Sequence, residues 1–137
     1  MDLDMMHIYK GKYVNYADLI YTWDGKHLYR GRYPNHADIL YTWDGQHLYS
    51  SRYANYADMI FTWDGRHLYQ GRYAQHASIL LTWDGTHIYR SKYANYSDMT
   101  FTWDGRHLYT GRYTQHAAIL LTVDAPVPVI AILLAIL

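Results

Sequence analysis

The sequence contains no cysteine and no glutamate, and it has only three prolines and two phenylalanines. Without cysteine there are neither disulfides nor thiolate metal ligands, and the redox compartment stays undetermined. Because 12 basic residues are offset by 12 acidic ones, we expect no electrostatic attraction to nucleic acid. Every acidic residue is aspartate, which favours turns over helices, so the composition points away from a helical protein.

Long apolar segments are also scarce. The unbroken apolar run near the C-terminus, in VPVIAILLAIL, spans about ten residues, which is half the length of a membrane-spanning helix, so we expect no transmembrane span. The N-terminal stretch MDLDMMHIYKGKY carries two aspartates and no apolar centre, so we expect no secretory signal peptide. Localisation stays open, and a cell-surface or extracellular role would need another route.

What the sequence does contain is a strict repeat. The stretch YTWDGKHLYRGRYPNHADIL at positions 21–40 recurs four more times at intervals of twenty residues, without insertion or deletion. The first twenty residues fit the same frame. We therefore expect one β-repeat domain, residues 1–125, and an apolar tail, residues 126–137, packed on the domain or on a neighbouring subunit. The six units are residues 1–20, 21–40, 41–60, 61–80, 81–100 and 101–120.

Each unit reads as a strand, a turn and a second strand. Residues 37–43 are rich in β-branched and aromatic residues, which predicts a strand. Asp44-Gly45 predicts a type I′ hairpin turn, in which both central residues have positive φ, and residues 46–49 form the returning strand. A three-residue loop with a bulge at the same glycine is the alternative. Glycines recurring at every second helical turn disfavour a helix. The sequence therefore predicts an all-β fold with about twelve strands.

The arrangement of the units is predicted from the chain ends. Lys10 and Lys12 lie on the first strand, and Pro126 and Pro128 follow the last unit; both residue types protect exposed sheet edges. We therefore expect an open, elongated hairpin array or a β-solenoid. The alternative is a closed pseudo-threefold β-trefoil or β-prism, because alternate units differ, although contacts between chains would also explain this. Position 16 of successive units reads Tyr16, His36, Tyr56, His76, Tyr96, His116.

The repeated motif resembles known hairpin repeats. It is similar to MORN repeats at Tyr29, Gly31, Tyr33, Tyr41, Trp43, Asp44 and Gly45. That resemblance implies hairpins stacked into an elongated twisted sheet and a scaffold role. The chain also resembles small bacterial proteins made of Asp-Gly-turn repeats with an apolar C-terminus, a likeness that implies no function.

Repeated histidines raise the question of a metal site. They occur at position 7 of each unit: His7, His27, His47, His67, His87 and His107. Tyrosine rather than a second ligand stands two residues on, so a zinc site would have to be assembled between units. We favour packing of each histidine against a tyrosine or tryptophan, and we expect no metal and no cofactor. Six near-identical environments also lack the divergent acid and base that catalysis needs, so we expect no enzyme.

The leading functional hypothesis is a structural protein that self-associates into a homo-oligomer or polymer, such as a fibre or filament subunit. Apolar residues of the tail are the candidate joint between chains: Val127, Val129, Ile130, Ile132, Leu133, Leu134, Ile136 and Leu137. The alternative is a multivalent glycan-binding protein, because aromatic rings stack on sugars and repeated weak sites gain avidity. Its candidate ligand residues are Trp23, Tyr29, Arg32, Asn35, Asp38 and their repeat equivalents.

Overall fold

A computed structural model describes residues 5–137, in which twelve β-strands, six 3-10 turns and one α-helix occur. Residues 1–4 lie outside the described residues. They are the start of the first predicted unit and of the N-terminal stretch in which no signal peptide was expected. The elements are β1 Met6–Lys10, β2 Leu19–Trp23, β3 His27–Arg30, β4 Ile39–Trp43, β5 His47–Tyr49, β6 Met59–Trp63, β7 His67–Gln70, β8 Ile79–Trp83, β9 His87–Tyr89, β10 Met99–Trp103, β11 His107–Thr110, β12 Ile119–Val123 and α1 Val129–Ile136. The prediction of an all-β repeat with about twelve strands is confirmed.

Each Asp-Gly pair lies in the tight turn that joins two strands of a hairpin. Between β2 and β3, a carboxylate oxygen of Asp24 accepts the backbone N–H groups of Lys26 at 2.8 Å and His27 at 2.6 Å. Gly25 has a φ of +97°, whereas no described residue other than glycine has a positive φ. The predicted type I′ turn is therefore wrong, because it would require a positive φ at Asp24 as well as at Gly25. The aspartate is the first residue of the turn, and its side chain binds the N–H groups that follow.

The opposite ends of the hairpins are joined by longer connections. A 3-10 turn, His36–Asp38, lies directly before β4, which begins at Ile39. The strand predicted over residues 37–43 therefore begins two residues late, because the Asn35 carbonyl accepts the Asp38 N–H at 2.9 Å and holds this segment in a turn. The same arrangement recurs in all six connections.

The twelve strands form one closed antiparallel barrel in which each strand pairs with its neighbours in sequence. The last pair joins the two chain ends, because β1 lies against β12 with Tyr9 opposite Thr122. The hairpin of β2 and β3 has the same register, with Tyr29 opposite Thr22. The sixth hairpin is thus assembled from both ends of the chain.

The predicted open hairpin array or β-solenoid is therefore wrong. Lys10 does not lie on a free edge, since it pairs opposite Leu121, and Pro128 precedes the helix as its N-cap. The β-trefoil or β-prism alternative does not describe the fold either, because all twelve strands belong to one closed sheet.

Regular bulges explain the closure. In all six pairs between consecutive hairpins the register shifts at the same place, as at Ile20 between β1 and β2. A bulge bends its strand and increases the local twist. Six equal bends at constant spacing therefore bring the first strand to the last. At the shifted position, Ile20, Leu40 and Leu80 pack against the core.

The interior of the barrel is filled by apolar side chains of every hairpin and by helix α1. Leu28 and its five equivalents are fully buried. Residues 130–134 of the helix are all at most 3% exposed. Because successive helical residues are rotated by about 100°, five consecutive buried residues mean that the helix is covered on every side. The apolar tail is therefore a helix enclosed by the barrel of its own chain.

The outward face of the sheet is also closed to water near the strand centres. Thr22 and Tyr29 point away from the core, yet both are buried. The Thr22 hydroxyl donates to the carbonyl of Gly31 at 2.8 Å, which ties the start of each connection to the sheet. The six equivalent bonds measure 2.7–2.9 Å. A buried hydroxyl that keeps a partner avoids the cost of desolvation, so threonine suits this position in every unit.

Candidate functional site

One end of the barrel carries six copies of a hydrogen-bonded Asp–His–Tyr group. In the first turn, the Tyr29 hydroxyl donates to Asp24 Oδ2 at 2.6 Å, and His27 Nδ1 lies 3.3 Å from the same oxygen. The edge of the His27 ring packs against Tyr29, with 5.8 Å between ring centroids. Each histidine at position 7 therefore contacts groups of its own turn.

The sixth copy of this group spans the two chain ends. Asp124, beyond β12, accepts the His7 N–H at 2.9 Å and the Tyr9 hydroxyl at 3.0 Å. His7 Nδ1 lies 2.8 Å from Asp124 Oδ2, the oxygen that also accepts the Tyr9 hydroxyl. The segment LTVDA at 121–125, which looks like a truncated unit, thus supplies the aspartate that completes the sixth turn.

Electrostatics in these groups favour charged aspartate and neutral tyrosine. Burial would raise the pKa of Asp104, but hydrogen bonds from the N–H of His107, from the Tyr109 hydroxyl and from the N–H of Arg106 hold it below its usual value. Burial, followed by the hydrogen bond to Asp104, raises the pKa of Tyr109 to about 12. These hydrogen bonds favour the charged carboxylate in its place next to the backbone N–H groups, so they stabilise the turns.

The described part of the chain contains no cluster of side chains that could bind a metal ion. Across residues 5–137 no three His or Asp side chains are grouped in a way that could hold a metal ion. The same residues contain no helix that is both long and apolar enough to cross a membrane.

The connections at the other ends of the hairpins present a belt of exposed tyrosines. The tyrosine at position 13 of each unit is 58–61% exposed: Tyr13, Tyr33, Tyr53, Tyr73, Tyr93 and Tyr113. Each of them meets the side chain at position 16 of the preceding connection. Adjacent hairpins therefore meet at six aromatic junctions that run around the barrel.

These junctions are of two kinds, which alternate. In the Tyr–Tyr junctions, two hydroxyls lie within hydrogen-bond distance: Tyr16–Tyr33 at 2.8 Å, Tyr56–Tyr73 at 3.0 Å and Tyr96–Tyr113 at 3.0 Å. In the His–Tyr junctions, a histidine ring packs on the tyrosine at centroid distances of 5.6–6.1 Å: His36–Tyr53, His76–Tyr93 and His116–Tyr13. The alternation of odd and even units therefore arises from contacts within one chain.

An arginine distinguishes the Tyr–Tyr junctions further. The Arg32 guanidinium carbon lies 3.9 Å from the centroid of the Tyr16 ring, a distance at which a cation–π interaction forms. The equivalent contacts of Arg72 with Tyr56 and of Arg112 with Tyr96 measure 4.3 and 4.1 Å. One face of each of these three tyrosines is thus covered.

Shallow grooves lie beside two of the His–Tyr junctions. One, of about 270 Å³, is lined by Ile39, Ser51, Arg52 and Tyr53. The other, of about 410 Å³, is lined by the equivalent residues Ile79, Ser91, Lys92 and Tyr93, and also by Leu80, Arg90 and Asp98. Each groove combines an exposed tyrosine ring, a hydroxyl and a cation, which are the groups that can stack on and hydrogen-bond a small polar ligand.

The structure divides the candidate ligand residues between the core and the surface. Trp23 is only 1% exposed and Tyr29 only 6%, so neither is available to a ligand at the surface. Arg32 and Asn35 are exposed on the connection, and Asp38 is half-buried there. The tyrosines at position 13 were missed, although their recurrence next to the alternating position 16 was visible in the sequence.

The candidate assembly residues belong mainly to the interior of the barrel. Ile130, Ile132, Leu133 and Leu134 are buried there, and Val127, Val129 and Ile136 pack partly against the core. Leu137 is 50% exposed, and with Ile136 it lines an apolar cleft of about 280 Å³ at the mouth of the barrel. The side chains that were expected to join two chains thus fill one chain's own barrel.

The fold defines a class of protein: a closed antiparallel barrel of six repeated hairpins that encloses its own C-terminal helix. Residues 8–136 match the family described as 6-fold beta flower protein, and the chain belongs to that family. The match covers the whole helix and all twelve strands except the first two residues of β1.

No curated protein and no solved structure matches the chain. The resemblance to MORN repeats is not shown by these comparisons, although a repeated hairpin pattern is common to both descriptions.

Proposed function

We propose that this protein is a non-enzymatic, multivalent carbohydrate-binding module. The observation that carries the proposal is the belt of position-13 tyrosines, each about 60% exposed and each held against a neighbouring aromatic side chain. Exposed aromatic rings offer a flat apolar face to the C–H groups of a sugar, and fixing them in advance reduces the entropy lost on binding.

Repetition supports the proposal because it multiplies weak binding. Six junctions stand on one closed barrel at regular angular intervals, so a branched or polymeric glycan can engage several of them together. Linking sites in this way raises avidity by about 10²–10⁴ over a single site without any new contact. A rigid ring of repeated sites suits a repetitive ligand, whereas a single-site enzyme gains nothing from six copies.

Self-association receives less support from the same geometry. Every strand of residues 5–137 pairs on both sides, which leaves no strand edge for edge-to-edge polymerisation. Most of the apolar tail is enclosed by the barrel of its own chain. Light scattering over a range of protein concentrations distinguishes the two functions, since a fibre subunit forms larger species as concentration rises.

A glycan array probed with the whole protein, followed by calorimetric titration of each hit, tests the proposal. We expect binding that is lost when the six position-13 tyrosines are replaced by serine, while thermal unfolding stays cooperative because these rings are mostly exposed. Gln46→Ala, an exposed change in a turn at the opposite rim, is the matched control and leaves binding unchanged. Absence of any hit at high protein density, or equal binding by the serine variant, would refute it.

A further inference from the structure

The position-12 cations of the six connections fall into two groups. Arg32 and its equivalents Arg72 and Arg112 lie over tyrosine rings at 3.9–4.3 Å. Their counterparts beside the His–Tyr junctions are Lys12, Arg52 and Lys92, and none of these three is found over a tyrosine ring in the described structure. Within residues 5–137 all ion pairs are between histidine and aspartate, so no aspartate of this part of the chain lies within 4 Å of these three cations.

Two of these cations line the grooves already described. Arg52 lies in the groove with Tyr53 and Ser51, and Lys92 lies in the equivalent groove with Tyr93. In the second groove Asp98 is present, but Arg90 accompanies Lys92, so two cations face one carboxylate. Both grooves therefore combine an aromatic ring with an excess of positive charge.

We infer that the three His–Tyr junctions, and not the Tyr–Tyr junctions, bind acidic saccharides. This inference rests on the proposed carbohydrate-binding function and specifies its ligand as a hexuronic acid. The tyrosine stacks on the sugar ring, and the position-12 cation pairs with the sugar carboxylate. At a Tyr–Tyr junction the arginine covers the face of the position-16 tyrosine. Two of these junctions carry a described groove, and the third, His116–Tyr13, has the equivalent exposed tyrosine and the equivalent cation Lys12. This gives three related acidic-sugar sites, spaced forty residues apart in the sequence.

The test uses three uronic acid trisaccharides (galacturonic, glucuronic and mannuronic), each paired with its fully methyl-esterified, uncharged form. Titration calorimetry with the whole protein measures affinity and the number of sites. We expect at least one acid to bind at three sites, with an affinity about ten-fold or more above its ester, because a charge-assisted hydrogen bond is much stronger than a neutral one. Added salt should weaken binding of the acid more than that of the ester.

Two matched triple variants locate the sites. Replacing Lys12, Arg52 and Lys92 by glutamine should reduce the affinity for the acid about ten-fold or more. Replacing Arg32, Arg72 and Arg112 by glutamine removes the same charge and should change it less than two-fold. Thermal unfolding of both variants checks that the connections are intact.

The outcomes separate this inference from the function on which it rests. Equal affinity for acid and ester, six equivalent sites, or equal loss in the two triple variants would overturn the acidic-sugar inference while leaving carbohydrate binding in place. If none of the six trisaccharides binds and the glycan array is also empty, both fail. If the array gives only neutral glycans, the acidic-sugar inference alone is wrong.

Discussion

The enclosed position of helix α1 makes Leu133 a direct probe of the fold. Its side chain is fully buried in the barrel core. Leu133→Ala removes three carbon atoms, and at about 0.8 kcal/mol per buried methylene the transfer contribution alone is about 2.4 kcal/mol. Because a barrel closed on all sides is unable to collapse fully onto the gap, a cavity contribution adds to this, and the expected loss is about 3–5 kcal/mol. Such a loss is a large fraction of the stability of a typical domain.

Urea unfolding followed by tryptophan fluorescence measures this effect, because three of the tryptophans are buried in the same core. The matched control is Leu137→Ala, directly after the last helical residue, where the side chain is 50% exposed and the expected loss is below about 1 kcal/mol. The m-value should be the same in both variants, which would show that the transition still exposes the same surface.

Similar losses in the two variants would refute the reasoning, since they would mean that the helix is not enclosed by the barrel. A concentration-dependent loss in Leu133→Ala would instead indicate that the side chain contacts a second chain, as the tail was first expected to do.

Three further predictions concern the turns. Asp64→Ala removes the acceptor of two N–H groups and of the Tyr69 hydroxyl, so the free energy of unfolding in urea should fall by about 1–3 kcal/mol. The control Asp58→Ala should lower it by less than about 0.5 kcal/mol, and equal effects would contradict the turn assignment. Gly65→Ala should lower the free energy of unfolding by about 1–2 kcal/mol through backbone strain alone, since φ at Gly65 is +95° and no atom lies within 4 Å of an added Cβ. An unchanged midpoint of urea unfolding would rule out this φ. The hydrogen bond to Asp64, followed by burial, raises the pKa of Tyr69 from 10.0 to about 12. The contribution of this hydroxyl to stability is therefore complete below pH 10 and is lost as the pH rises towards 12. Phenolate absorbance should show a second, later phase, and a single phase near pH 10 would contradict the hydrogen-bond network.

Much of the local structure could be predicted from single positions. The Asp-Gly pairs mark the turns because glycine adopts positive φ without strain and aspartate binds the N–H groups that follow. Tyr41 and Trp43 both pack against the core, as the two-residue alternation of side chains along a strand requires. The number of strands followed from the strict twenty-residue period.

The alternation of Tyr16 and His36 was also visible in the sequence, and it predicted two kinds of environment. Which residues formed those environments was not predictable, because position 16 meets position 13 of the following unit, seventeen residues away, only after the connections are folded. The exposed tyrosines of the candidate site were therefore overlooked in favour of Trp23, which lies in the core.

Local propensities set each hairpin, its turn and its buried face, and these follow from the sequence because they depend on residues a few positions apart. Closure depended on a small bend repeated six times, since a slight change in the angle at each bulge would separate β1 from β12 and leave an open sheet. The enclosed helix depended on closure in turn, because an apolar segment of this length is equally suited to covering a sheet, joining two chains or filling a barrel. Only the tertiary structure decided among these, by providing an apolar interior that the helix fills.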